Sequence, residues 1–80
     1  MRLPRDLTGD ELIKALLKLG YEATRQTGSH IRVTTQRQGE HHVTVPRHNP
    51  LRLGTLAGIP GDVALHLHMS REEVVESLFV

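Results

Sequence analysis

The sequence predicts an α+β domain: a three-stranded antiparallel sheet with helices packed on one face, in the order α-β-β-β-α-α. Three observations predict it. Two capping boxes, Thr8-Gly9-Asp10-Glu11 and Ser70-Arg71-Glu72-Glu73, each precede an apolar stretch with helical spacing. Between them lie three short segments whose apolar residues alternate with polar ones, separated by links that carry glycine. The chain is 80 residues long, which leaves room for one domain, 1–80, and a modest core.

Taken in order, Leu12, Ile13, Leu16, Leu17 and Leu19, with Ala15 beside them, follow helical spacing after the Thr8 cap. Gly20 stops that helix as a left-handed residue, giving a helix over 9–19. Tyr21 and Ala23, then Ile31 and Val33, then Val43 and Val45 alternate with polar neighbours. They predict strands over 21–27, 29–36 and 41–46, joined by two hairpins whose links contain Gly28 and Gly39. Requiring the apolar residues to share a face pairs Ala23 with Ile31, across a three-residue loop ending on Gly28. That register sets Glu22 opposite Arg32 and Thr24 opposite His30. In the second hairpin, Val33 pairs with Val43, which sets Ile31 opposite Val45 and His30 opposite Pro46. The other sheet face then displays Glu22, Thr24, His30, Arg32, Thr34, His42 and Thr44.

After a turn-rich connection from Pro46 to Pro50, Thr55 is the expected cap of a helix over 55–67. Leu56, Ile59, Val63, Leu65, Leu67 and Met69 supply its apolar side. Pro60 either kinks that helix or marks a restart near Asp62. Ser70 caps the last helix, whose Val74, Val75, Leu78 and Phe79 either complete the core or form an interface, with the core favoured.

Composition narrows the function. Apolar residues are 38% and charged residues 24%, a globular balance. Without cysteine there are no disulfides, thiolate metal sites or cysteine nucleophiles. Apolar runs are too short to span a bilayer, and the charged N-terminus does not read as a signal peptide, so a cytoplasmic protein without membrane contact is expected. Aromatics are limited to Tyr21 and Phe79, which argues against stacking single-stranded bases on rings. Charge is split: residues 1–52 hold nine Lys/Arg against five acids, whereas residues 53–80 hold Arg71 against Asp62, Glu72, Glu73 and Glu76. Arginine dominates the basic part, and its forked guanidinium suits phosphate. Ordinary solvated charge is the plainer account.

Six histidines stand out: His30, His41, His42, His48, His66 and His68. Imidazole titrates near neutrality and suits proton transfer. His30 follows the turn Thr27-Gly28-Ser29, and Arg32, Thr24, Thr44, Arg47 and His48 are its expected neighbours. Such a group can cleave RNA: a base takes the 2′-hydroxyl proton, an acid protonates the leaving 5′-oxygen, and cations hold the phosphorane charge. No metal or other cofactor is required. His42 lies on the order of 13 Å along the sheet from His30, too far to share one phosphate. That makes His48 the better partner. A strand-edge histidine without a role explains His30 as simply. His41-His42 and His66-x-His68 do not put two rings on one face, so neither pair reads as a metal site.

Several pieces together resemble the HicA-type toxins of bacterial toxin–antitoxin pairs. They are Glu11-Leu12-Ile13-Lys14-Ala15-Leu16, Leu19-Gly20-Tyr21, the turn Arg25-x-x-Gly28-Ser29-His30, Val43-Thr44-Val45-Pro46-x-His48, and Leu53-Gly54-Thr55-Leu56. The resemblance implies a fold like the double-stranded RNA-binding domain and cleavage of mRNA, with His30 as the essential residue. It also implies neutralisation by a cognate HicB-type antitoxin that covers the His30 face. The sequence departs from the common pattern at Pro60-Gly61 and in its sparse lysine. The expected site therefore comprises His30 and His48 for proton transfer, with Arg25, Ser29, Arg32, Arg47, Lys14 and Lys18 as RNA contacts. Two alternatives stay open: a non-catalytic double-stranded RNA-binding module in which Lys14, Lys18 and the arginines bind phosphate, and an interaction protein that only binds an antitoxin.

Overall fold

The computed structural model describes residue 4 and residues 6–79. Its elements are α1 (Gly9–Leu17), β1 (Glu22–Thr27), β2 (His30–Thr35), β3 (His41–Pro46), α2 (Leu53–Leu67) and α3 (Arg71–Phe79). The three strands form one antiparallel sheet in the order β1-β2-β3, so the α+β arrangement is as expected. The helices cover one face. Leu12, Leu16, Tyr21, Val33, Val45, Leu56, Val63, Val74 and Leu78 meet there and are at most 1% exposed. α3 thus completes the core.

Both capping boxes form. Thr8 Oγ1 accepts from Glu11 N–H at 3.1 Å while Glu11 accepts from Thr8 N–H at 3.0 Å, and Ser70 and Glu73 repeat the exchange at 3.0 and 2.9 Å. α1 ends two residues earlier than expected. Lys18, Leu19 and Gly20 donate to the carbonyls three residues back, and Tyr21 N–H returns to Leu16 O at 3.2 Å. That tightened turn swings Leu19 and Tyr21 into the core.

The second hairpin has the expected register, with Val33 opposite Val43, Ile31 opposite Val45 and His30 opposite Pro46. The first does not. Ala23 pairs with Val33, not Ile31, and Thr27 pairs with His30 across the two-residue turn Gly28-Ser29. Gly28 has φ +57°, which fits the two-residue hairpin that takes glycine first. The expected pairs Glu22–Arg32 and Thr24–His30 are replaced by Glu22–Thr34 and Thr27–His30, with a bulge between Ala23 and Arg25. β1 is exposed along its whole length, so no buried face forces its register.

α2 starts at Leu53, and Thr55 lies inside it instead of capping it. Arg52 occupies the cap position with no side-chain bond. Buried Leu51 fixes the approach instead, donating its N–H to Leu7 O at 2.8 Å. Pro60 does not mark a restart; it lies within one 15-residue α2, with its ring fully buried. Leu65 is 80% exposed, so it does not belong to the apolar side. Two residues from Val63, it falls on the far side of the helix. Thr34, expected on the open sheet face, is 9% exposed because Thr24 and His42 close over it. Among the described residues no helix is long and apolar enough to cross a membrane.

Candidate functional site

The bulge at Thr24 decides what the open sheet face offers. Side chains alternate along a strand, and β2 turns His30, Arg32 and Thr34 away from the core. Strict alternation from Ala23 would send Arg25 and Thr27 to the core face. The bulge inserts one residue, so Arg25 comes to lie opposite Arg32 and Thr27 opposite His30. Paired residues share a face, and both side chains therefore join His30.

The result is a cleft of about 310 Å³ lined by Arg25, Thr27, His30, Arg32 and Thr44. All five are exposed. Arg32 sits between Arg25 on β1 and Thr44 on β3, and His30 begins β2 directly after the turn. Like charges directly opposite on a sheet destabilise it. Here two guanidiniums face each other, and among the described residues neither is paired with a carboxylate. Two cations, an imidazole and two hydroxyls thus share one lining.

The other expected residues fall into two groups. Ser29 lies in the turn before β2, and Arg47 and His48 follow β3; none of the three is among the residues that line the cleft. Arg47 N–H donates to Ser29 O at 2.6 Å, tying the turn to the chain beyond Pro46. Its guanidinium is held by Asp10 through two bonds of 2.9 and 3.1 Å, which raise its already high pKa further. His48 is exposed, and its carbonyl accepts from Gly9 N–H at 3.0 Å. A Cβ on Gly9 would overlap the Pro46 carbonyl oxygen, so glycine is what lets α1 approach this segment. Lys14 and Lys18 are not brought to the cleft. They line a groove between α1 and α3 with Leu7, Glu11, Ala15, Leu78 and Phe79, and Lys18 Nζ donates to Leu78 O at 3.3 Å. Thr27 is the member that sequence reading missed as a lining residue. The signal was the Gly28-Ser29 pair, read as a two-residue hairpin.

At the opposite end of the sheet, histidines serve the fold. His41 Nδ1 bonds the Tyr21 hydroxyl at 2.8 Å, and its Nε2 faces Asp62 at 3.5 Å. His66 stacks on His41 with centroids 4.3 Å apart, and its Nε2–H donates to the Arg37 and Gly39 carbonyls at 2.9 and 3.0 Å. Burial, with a smaller contribution from Asp62, pushes the Tyr21 phenol up to about 12. Among the described residues, no group of three or more His, Asp or Glu is gathered as a metal site.

No curated protein and no solved structure matches the chain. A family model does match, described as the HicA toxin of bacterial toxin–antitoxin systems, and it spans residues 9–65, from the first turn of α1 almost to the end of α2. That span contains the whole sheet, the cleft and the segments that carry Ser29, Arg47 and His48. The chain belongs to the HicA toxin family, and is thus the toxin half of a pair with a cognate antitoxin.

Proposed function

We propose that this toxin is an mRNA interferase, an endoribonuclease that cuts by acid–base catalysis centred on His30. One observation carries the reading: Arg25 and Arg32 lie opposite each other without carboxylate partners among the described residues, in the same cleft as the exposed His30 ring. A phosphodiester seated between the guanidiniums places its ribose and leaving oxygen beside that ring. His30 takes the 2′-hydroxyl proton, and O2′ attacks phosphorus as the P–O5′ bond breaks. The arginines hold the added negative charge, and Thr27 and Thr44 offer hydroxyl donors. The products are a 2′,3′-cyclic phosphate and a 5′-hydroxyl, with the proton passed to O5′. None of these steps calls on a metal or other cofactor.

His48, just beyond β3, is the candidate for the second proton transfer. Arg47 contacts a neighbouring phosphate only by exchanging Asp10 for it. Lys14 and Lys18 contact RNA only where the strand wraps round to the helical side. The antitoxin is of the HicB type and covers the His30 face, so partner and substrate compete for one surface. The setting is the cytoplasm.

The test is cleavage of a long RNA in EDTA by the native chain and by His30→Ala. Cutting by the native chain alone, with 2′,3′-cyclic phosphate ends, is expected. Binding without cleavage by either form assigns the chain to RNA binding, and equal cleavage by both removes His30 from the chemistry.

A further inference from the structure

The cleft depends on a bulge, and something must hold that bulge. β1 is exposed on both faces, so hydrophobic burial does not fix where it sits against β2. Without the bulge, Thr24 would face Arg32 and Gln26 would face His30. Arg25 and Thr27 would then leave the cleft.

A line of side chains runs from the bulge to the far edge of the sheet. Thr24, the residue skipped in the pairing, donates its hydroxyl toward Arg32 O at 3.3 Å and lies 2.8 Å from Thr34 Oγ1. Thr34 Oγ1 lies 2.7 Å from His42 Nδ1, and His42 Nε2 lies 3.0 Å from Glu40 Oε2. Gln36 holds the other Glu40 oxygen at 3.4 Å. These bonds keep the Glu40 carboxyl below its usual range, Gln36 contributing most and then His42.

A carboxylate only accepts, so His42 Nε2 carries a proton. With the ring neutral, Nδ1 accepts from the Thr34 hydroxyl, which in turn accepts from Thr24. With the ring charged, Nδ1–H donates to Thr34, Thr34 donates to Thr24, the Nε2–H bond to Glu40 keeps its direction, and Thr24 donates wholly to Arg32 O. The chain closes in both states, and Thr34, buried at the centre, is satisfied in both.

We infer that His42, oriented by Glu40, is a positioning residue that holds the Thr24 bulge through Thr34 and so keeps Arg25 and Thr27 in the His30 cleft. The inference rests on the proposed nuclease reading for its consequence, though not for its geometry. Asparagine at position 42 can place a polar atom where Nδ1 sits, whereas glutamine reaches only the Nε2 position.

Cross-strand proton contacts measured by NMR on the full chain decide the matter. In Thr34→Val and His42→Gln the Arg25–Arg32 contact is expected to give way to a Thr24–Arg32 contact, while His42→Asn keeps the native pattern. Cleavage at saturating RNA is expected to fall roughly tenfold to a hundredfold in the first two, with weaker RNA binding as Arg25 leaves the cleft, and both are expected to be largely restored in His42→Asn. Native contacts in both Thr34→Val and His42→Gln would overturn the inference. If the native chain cuts no RNA, the nuclease reading fails, and the contact pattern still decides the relay by itself.

Discussion

The two ends of this sheet both carry histidines, and they treat them in opposite ways. At one end His41 and His66 are half-buried, stacked and hydrogen-bonded to Tyr21, to Asp62 and to two turn carbonyls. Their polar capacity is used inside the molecule. At the other end His30 is exposed beside two arginines that lack carboxylate partners among the described residues. The difference teaches how to read histidine in a small domain. Count singles out neither end, and the residue type is the same at both. What separates them is hydrogen-bonding and charge capacity that the fold uses internally at one end and leaves open to solvent or a ligand at the other.

The sharpest way to break that contrast is to remove one ring from each end. His30→Ala is expected to lower RNA cleavage by about 10² to 10⁴, the range for a lost acid–base group. Its stability in urea should stay within about 0.5 kcal/mol of the native chain, because an exposed side chain is removed. His66→Ala should do the reverse, losing about 1–2 kcal/mol of stability with the bonds that tie α2 to the turn. Its cleavage rate per folded molecule should match the native chain. A folded His66→Ala that cuts no RNA would erase the division between the two ends.

A pH series sharpens it at the structural end alone. The Tyr21 phenol is pushed up to about 12 by burial, with Asp62 adding to the shift, against an ordinary value near 10. Folding therefore favours the protonated phenol. Its contribution is complete below pH 10 and is lost as pH rises toward 12, because the unfolded chain ionises first. Unfolding midpoints should fall across that window by an amount worth about 1–2 kcal/mol beyond the fall seen in Tyr21→Phe. The Tyr21→Phe chain should also start about 1 kcal/mol lower, having lost the hydroxyl bond to His41. Parallel curves for the two proteins would show that this phenol is not held as the structure holds it.

The same division explains what the sequence made legible. The second hairpin could be read because Val33, Val43 and Val45 are buried, and a one-residue slip would expose them. The first hairpin could not, because all of β1 is exposed and its register is set by a two-residue turn and a bulge. The position of His30 was legible from the turn that precedes it, whereas the company of Arg25 was hidden in the bulge. The start of α2 was misread at Thr55 because buried Leu51, and not a side-chain cap, directs the chain there. The stacking of His66 on His41 joins residues on α2 and β3, and no local spacing encodes it.

The smallest expected effect carries the most specific information about the functional end. Arg25 and Arg32 oppose each other directly, and like charges so placed cost a sheet stability. Arg25→Gln removes one charge and keeps a polar side chain of similar reach. It should raise stability by a few tenths to about 1 kcal/mol at low salt. Near 1 M salt, where screening acts within about 3 Å, the gain should largely vanish. RNA binding should weaken at the same time, and its salt dependence should flatten by roughly 0.7 in the log–log slope, the share of one phosphate contact on a single strand. A substitution that stabilises the fold while weakening binding marks a charge kept for the ligand. If Arg25→Gln instead destabilises the chain, the guanidinium serves the bulge, and the cleft's claim to be a phosphate site rests on Arg32 alone.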